Sequence, residues 1–534
     1  MKQTKLIARI LKRVTTLAAL TGIAILAACT GNKKTSATET ADGTLYREKY
    51  RSQIHFTPAE HWMNDPNGMV YYRGEYHLFY QHYPEKSVWG PMHWGHAVSR
   101  DLVHWEHLPI ALYPDSLGYI FSGSAVVDWK NTSGLGTPDN PALLAFFTYH
   151  NPEIEKAGGI DVESQALAYS LDNGRTWTKY AGNPVLKNPG IRDFRDPKVF
   201  WHEDSGQWIM SIAAQQVIHF YGSKDALNWT YLSEFGQGVG CHEGVWECPD
   251  LFPLPVQGTS ETKWVLIVNI NPGGPAGGSA TQYFVGHFDG KNFRSNQQES
   301  RWMDYGKDNY AGVTWSDAPD NRRILIGWMN NWQYAGEKPC VKWSGACTLP
   351  REMGLVKSGN GYLLTSVPVK ELDKLQGETA TWDKLKVEKS FDLAKGLPFA
   401  QAPVKLTFSL KEQPGSSLAD KYGICLKNKQ GECMIVGYDN RNKLFYIDRT
   451  NATGETFSDK FACIHSAPYQ VQPDGTEWEV VIDVSSLELF VDKGRLVMTD
   501  VFYPSEPFDK MELFTKDGVA TFSNVSVTQL KSIW

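Results

Sequence analysis

Asn64-Asp65-Pro66-Asn67-Gly68 leads directly into the apolar run Met69-Val70-Tyr71-Tyr72. The same order, a carboxylate just before a proline and then a strand, returns at Arg195-Asp196-Pro197-Lys198-Val199 and at Glu247-Cys248-Pro249-Asp250-Leu251-Phe252. Short apolar or alternating runs of this kind read as β-strand. Proline is tolerated at the start of a strand, where its missing donor lies outside the ladder. It also pushes the residue before it into an extended conformation, which fixes the direction in which Asp65 and Asp196 point. Three acidic examples in one β-rich chain predict that equivalent strand starts deliver carboxylates to a common place.

Outward from these segments, residues 53–368 read as β throughout, with hairpins such as 69–81 turning at Arg73-Gly74-Glu75. Candidate inner strands start at Asp65, Ser122, Asp196, Glu247 and Asp308, a spacing of roughly 50–75 residues that suits four-stranded blades with loops. A second marker runs in phase with the first: Ser99-Arg100-Asp101 before Trp105, Ser170-Leu171-Asp172 before Trp177, Ser223-Lys224-Asp225 before Trp229, and His287-Phe288-Asp289 before Phe293. These read as turn-plus-aromatic staples between outer strands. Beyond Pro368, residues 370–396 are charged and turn-rich, and short strands follow at 404–410, 433–438, 443–447, 478–484, 487–491 and 519–527, the pattern of a β-sandwich. The expectation is an all-β protein: a five-bladed β-propeller over 53–368, then a linker and C-terminal β-sandwich over 369–534. In a propeller the starts of the inner strands gather at one mouth of the central funnel.

The chain has 534 residues and a formal net charge of −6, with no basic stripe that would call for nucleic acid. Its 19 Trp and 24 Tyr fill β cores and also suit a protein that stacks sugar rings. At the N-terminus, Lys2, Lys5, Arg9, Lys12 and Arg13 precede a short apolar stretch over 17–28 that ends in Leu26-Ala27-Ala28-Cys29. This resembles a bacterial lipobox, so residues 1–28 are expected to be a signal peptide and 29–52 a lipidated Cys29 with a flexible tether, anchoring an exported protein to a membrane. The seven remaining cysteines fit no zinc pattern; buried thiols are expected, and a Cys340–Cys347 bridge is left open.

Converging carboxylates are what glycosidic hydrolysis needs, and the motifs carry a specific resemblance. Trp62-Met63-Asn64-Asp65-Pro66-Asn67-Gly68, Phe121-Ser122-Gly123-Ser124, Arg195-Asp196-Pro197 and Trp246-Glu247-Cys248-Pro249-Asp250 resemble, in order, the motifs of glycoside hydrolase family 32, the invertase, inulinase and levanase family. Asp304-Tyr305-Gly306-Lys307-Asp308-Asn309-Tyr310-Ala311, Gly327-Trp328-Met329-Asn330-Asn331-Trp332 and Leu487-Glu488-Leu489-Phe490-Val491 extend the likeness over nearly the whole chain. The resemblance implies Asp65 as nucleophile, Glu247 as general acid/base and Asp196 as stabiliser of the transition state. It also implies a sugar site of Asn64, Gln81, Trp89, Phe121, Ser122, Arg195, Tyr310 and Trp343, without metal or cofactor. Trp246 and Cys248 are expected to give Glu247 apolar cover, and Arg195 to keep Asp196 charged. Asn309 and Lys342-Trp343-Ser344-Gly345 depart from commoner family forms, near the expected leaving-group subsites.

The function implied is a retaining, exo-acting β-fructosidase that cleaves levan, inulin, fructo-oligosaccharides or sucrose by double displacement. Alternatives are an endo-acting fructanase, a related five-bladed arabinofuranosidase or xylosidase, and a non-catalytic glycan-binding lipoprotein; the last predicts loss of one of the three acids, and all three are present. Residues 30–36 lack an acidic run, which favours the periplasmic side over the cell surface.

Overall fold

Asp65 lies inside a twelve-residue strand, His61–Tyr72, that turns through Arg73 and Gly74 into Glu75–Tyr83. Both turn residues have positive φ, 47° and 90°, the twist that joins two antiparallel strands through a two-residue loop. The computed structural model describes residues 45–398, 403–411, 418–471 and 475–534; Cys29 and the expected signal peptide lie outside them.

Five antiparallel sheets succeed one another along the described chain up to Pro368. Their inner strands are His61–Tyr72, Tyr119–Val127, Phe194–His202, Val245–Pro255 and Tyr310–Thr314. Each packs against the next, and the fifth returns to the first, so the sheets close a propeller ring around one axis. Trp343–Ser344 pairs in parallel with His61 and Trp62, adding a late segment of chain to the first sheet. The Ser-x-Asp markers are the staples expected: Asp101, Asp172 and Asp225 accept backbone N–H bonds two to four residues on, each where one strand ends and the next outer one begins.

The inner strands share one irregularity. Their ladders slip between Met63 and Pro66, between Phe121 and Gly123, opposite Asp196 (between Ser211 and Ala213), between Glu247 and Asp250, and between Tyr310 and Val313. Asp196, Cys248 and Ala311 there have φ of 65°, 42° and 53°, a left-handed conformation that non-glycine residues hold only when their surroundings enforce it. Bulges re-aim side chains and interrupt pairing. This corrects the expectation of prolines at strand starts: the strands begin earlier, and Pro66, Pro197 and Pro249 sit in or beside bulges where the ladder is already broken.

Two six-stranded sheets form the C-terminal sandwich, closed over Phe408, Tyr438, Phe445 and Trp478. The stretch read as linker contains its longest strand, Gln376–Val387, which pairs with Ala520–Leu530 at the edge of one sheet. An edge strand meets water on much of its surface, which is why its sequence looked like loop. Part of the expected tether is also ordered: Arg51 is fully buried, with its guanidinium on Glu48, Thr57 and two backbone carbonyls.

Propeller and sandwich belong to one compact unit, Tyr46–Trp534, joined by a buried ion network. Arg351 of the propeller meets Glu488 of the sandwich at 2.6 Å and Asp304 at 3.0 Å. Arg449 of the sandwich meets Asp308 at 2.6 Å. Asp308 therefore belongs to this seam and not to the funnel; the fifth inner strand begins two residues later, at Tyr310. Gly306 is required here because a Cβ would lie 2.1 Å from the Thr499 nitrogen.

Candidate active site

The bulges of the inner strands open onto a cavity of about 290 Å³ lined by Asp65, Asp196 and Glu247, together with Asn64, Gln81, Trp89, Phe121, Ser122 and Arg195. Nine of the eleven candidate residues thus share one wall, drawn from four sheets. Tyr310 lies directly behind it and donates its hydroxyl to Glu247 Oε2. Trp343 is elsewhere: it is buried among Met329, Tyr334 and Phe461, with the Arg51 guanidinium 4.5 Å from its ring. Asn309 is also away from the cavity, bonded to Asp304 at the domain seam. The two departures from the family pattern accordingly flank the domain junction, not a subsite. Strand pairing beside Trp62 and an apolar neighbourhood decide Trp343's position, and neither is visible in its own motif.

Asp65 is held by donors on both oxygens. Asn64 Nδ2 donates to Oδ1 at 3.0 Å, and is itself set by Trp62 Nε1 on its Oδ1 at 2.7 Å. Ser122 Oγ donates to Oδ2 at 2.8 Å. The Cys248 thiol touches Asp65 Oδ2 at 3.6 Å and Asp196 Oδ2 at 3.5 Å, so one sulfur spans two of the three acids. Burial, then the charges of Asp196, Asp65 and Glu247, push that thiol well above its ordinary value. It stays protonated and serves as a donor.

Asp196 accepts a bond from the Cys248 N–H at 2.9 Å. Arg195 does not bond it: the guanidinium binds Glu247 Oε1 at 2.9 Å, Glu163 at 3.1 Å and Asp193 at 2.9 Å. Burial wins over the Arg195 charge, and with Glu247 and Asp65 near, the Asp196 carboxyl is pushed up to about 7. Desolvation of part-buried Arg195 works against its charge, yet Glu163, Glu247, Asp196 and Asp193 hold it well above its ordinary value.

The apolar cover expected for Glu247 is also corrected. Trp246 points to the opposite face of its strand, buried between sheets and stacked on His242 at 5.0 Å. The Glu247 carboxylate meets Arg195 and Tyr310 instead. Burial, then the nearby Glu247 charge, keep the Tyr310 phenol well above its ordinary value, so it remains a hydroxyl that donates. Sequence reading missed Glu163, Asp193, His150, Glu155 and Trp332, which also line the cavity. Trp332 sat in a quoted motif and Asp193 two residues before Arg195. Glu163 had no local signal, since its role depends on its strand lying beside Phe194, whose N–H it accepts at 2.7 Å.

At the rim Phe121 stacks on His150 with centroids 4.3 Å apart and meets Trp89 edge-on. Gln81 Nε2 is buried with no hydrogen-bond partner in the protein. Among the described residues, no three His, Cys, Asp or Glu side chains are grouped as metal ligands.

Two family profiles match the chain: Glycosyl hydrolases family 32 N-terminal domain over residues 55–367 and Glycosyl hydrolases family 32 C terminal over 371–529. The chain belongs to glycoside hydrolase family 32. Across the family it is similar to the levanase of Bacillus subtilis (strain 168), 46% identical over 503 residues, covering 93% of this chain and 72% of that one. Among solved structures, the exo-inulinase from Aspergillus awamori matches with a TM-score of 0.83 and 34% identity, over 92% of this chain and all of that one. The beta-fructofuranosidase from Schwanniomyces occidentalis complexed with fructosyl-erythritol matches with a TM-score of 0.79 and 32% identity, over 91% of this chain and 98% of that one. This family 32 member is therefore a glycoside hydrolase with all three acids in place.

Proposed function

We propose that the protein is a retaining, exo-acting β-fructosidase that removes terminal fructofuranosyl units from levan, inulin, fructo-oligosaccharides or sucrose. The observation that carries this reading is the convergence of Asp65, Asp196 and Glu247 on one funnel floor, two of them on a shared thiol. Asp65 is the nucleophile: Asn64 and Ser122 orient its carboxylate and leave lone pairs free to attack the anomeric carbon. Glu247, positioned by Arg195 and Tyr310, protonates the departing glycosidic oxygen. The fructosyl ester on Asp65 is then hydrolysed by a water that Glu247 deprotonates, and two inversions give net retention. Asp196 bonds the sugar hydroxyls and stabilises positive charge as it develops at the ring. Arg195, held by Glu163 and Asp193, fixes Glu247 at the cavity wall.

A cavity of about 290 Å³ is at the small end of ligand sites, about 300–1,000 Å³, and suits one terminal ring better than a polymer passing through. Its aromatic rim meets the ring that leaves. The levanase, exo-inulinase and fructofuranosidase relatives support the same substrate class. The N-terminal pattern supports export, lipidation at Cys29 and a periplasmic position; a Cys29→Ser variant released into the soluble fraction is the test of anchoring.

Thin-layer chromatography of products from levan, inulin and sucrose tests the function. Exo-action yields fructose from the first minutes, whereas a ladder of oligosaccharides means endo-action. NMR of the nascent sugar tests the stereochemistry: β-fructofuranose appears first under double displacement, and an initial α-anomer refutes it.

A further inference from the structure

The inner strands that carry the catalytic acids continue past them into a second cavity. Midway, Lys198 Nζ donates to the Thr314 carbonyl at 2.6 Å and lies 3.1 Å from Asp250, while Asp250 Oδ2 accepts from Thr314 N and Oγ1 at 2.7 and 2.8 Å. This knot separates the cavity of Asp65, Asp196 and Glu247 from one of about 560 Å³ built from the other ends of the same strands. Its walls carry Trp129, Trp201, Trp264, Lys198, Asp250 and Arg323.

Three observations say what this far mouth can hold. Trp129 stands 57% exposed at its rim, with its indole N–H fixed on Asp317 at 3.0 Å, so a large flat face is presented to solvent in one orientation. Asp250 is fully buried, yet its Oδ1 has no hydrogen-bond partner; Arg323 Nε is likewise buried and unpartnered. Trp201 Nε1 is a further buried donor without a partner, and around the mouth Lys130, Lys198 and Arg323 face Glu203, Asp204, Asp250 and Asp317. A lining that mixes donors with acceptors, and cations with anions, does not select an ion of one sign. It matches a neutral ligand whose groups both donate and accept, as vicinal hydroxyls do, with an apolar ring face to lay on an indole. The active-site mouth is built along similar lines: Trp89, 45% exposed, stands at the rim over Asp65, Asp196, Glu247 and Arg195.

We propose that the far mouth of the propeller funnel is a second saccharide-binding site, holding one or two rings of the fructan chain whose end another copy or the same molecule degrades. The choice of fructan rests on the proposed function; the second site rests on Trp129, Asp250 and Arg323. Trp129 supplies the stacking face, and Lys198, Asp250 and Arg323 line the same cavity. Its consequence is retention of the enzyme on polymer, without effect on the chemistry of a small substrate.

The test is calorimetric titration of the slowly hydrolysing Glu247→Ala protein with a fructotetraose, at low temperature and within minutes of mixing. The expected result is two sites, one of which is lost in Glu247→Ala/Trp129→Ala and kept in Glu247→Ala/Trp129→Tyr, which preserves an aromatic face. In the otherwise wild-type enzyme, Trp129→Ala should leave kcat and KM on sucrose unchanged and raise KM on levan severalfold. A single site that Trp129→Ala leaves in place overturns the second site while the proposed function stands, and means that water alone fills the far mouth. No heat in any variant overturns both readings. Trp129 is largely exposed, so its loss leaves the fold intact, and circular dichroism checks this.

Discussion

Replacing Asp196 with Asn should make the protein more stable and less active, and the gain in stability should depend on pH. Asp196 is 6% exposed. Burial, opposed by Arg195 and reinforced by Glu247 and Asp65, moves its carboxyl from 3.8 to about 7. Well below 3.8 the group is protonated in both folded and unfolded chains and contributes nothing. Between pH 4 and 7 the unfolded chain releases its proton while the folded one keeps it, so stability falls as pH rises through that window and the loss is complete above 7. At about 1.4 kcal/mol per pH unit, the full effect is about 4 kcal/mol. Asn keeps the size and an acceptor for the Cys248 N–H but never ionises. The stability gain should be small at pH 4, intermediate at pH 5.5 and about 3–4 kcal/mol at pH 8, read by urea denaturation followed through tryptophan fluorescence. Over the same series kcat/KM should fall about 10²–10³-fold, the range for loss of one preorganised electrostatic group. A gain that does not vary with pH, or a variant less stable than wild type at pH 8, would show that the buried carboxylate carries no penalty and refute the argument.

Glu247→Ala should lower turnover on fructans by about 10²–10⁴-fold and do less damage with a substrate whose leaving group needs no protonation; equal loss on both means that Glu247 serves only to hold Arg195. Tyr310→Phe removes one bond to that carboxylate, about 1.5–3 kcal/mol, and should cut kcat by about 10–100-fold, so an unchanged kcat removes Tyr310 from the machinery. Arg351→Ala strands Glu488 and Asp304 in the buried seam and should destabilise the protein by about 3–5 kcal/mol, measured as a lowered denaturation midpoint; an unshifted midpoint means that the seam is not held by this network.

Much of the architecture is local and so was legible. Alternation, turn residues and the recurring Ser-x-Asp staple are short-range patterns, and they specified an all-β chain of repeating sheets followed by a second β domain. The three acids stood out because each precedes or neighbours a proline in a strand, a rare combination that matters only when it recurs. Two kinds of residue escaped. Gln376–Val387 read as loop because an edge strand carries polar residues on much of its surface. Glu163 and the knot of Lys198, Asp250 and Thr314 escaped because their partners are distant in sequence.

By itself the sequence singled out Asp65, Asp196 and Glu247 and the periodic plan that presents them. The tertiary structure decided what each one touches. Strand alternation places neighbours on opposite faces, and a bulge overrides that alternation at one residue. Arg195 reaches Glu247 and not the adjacent Asp196, and Cys248 reaches the funnel while Trp246 enters the core. Ring closure then determined the electrostatics. Only when three inner strands meet do Asp196, Asp65 and Glu247 come close enough to repel one another, and that repulsion, with burial, moves Asp196 toward neutrality.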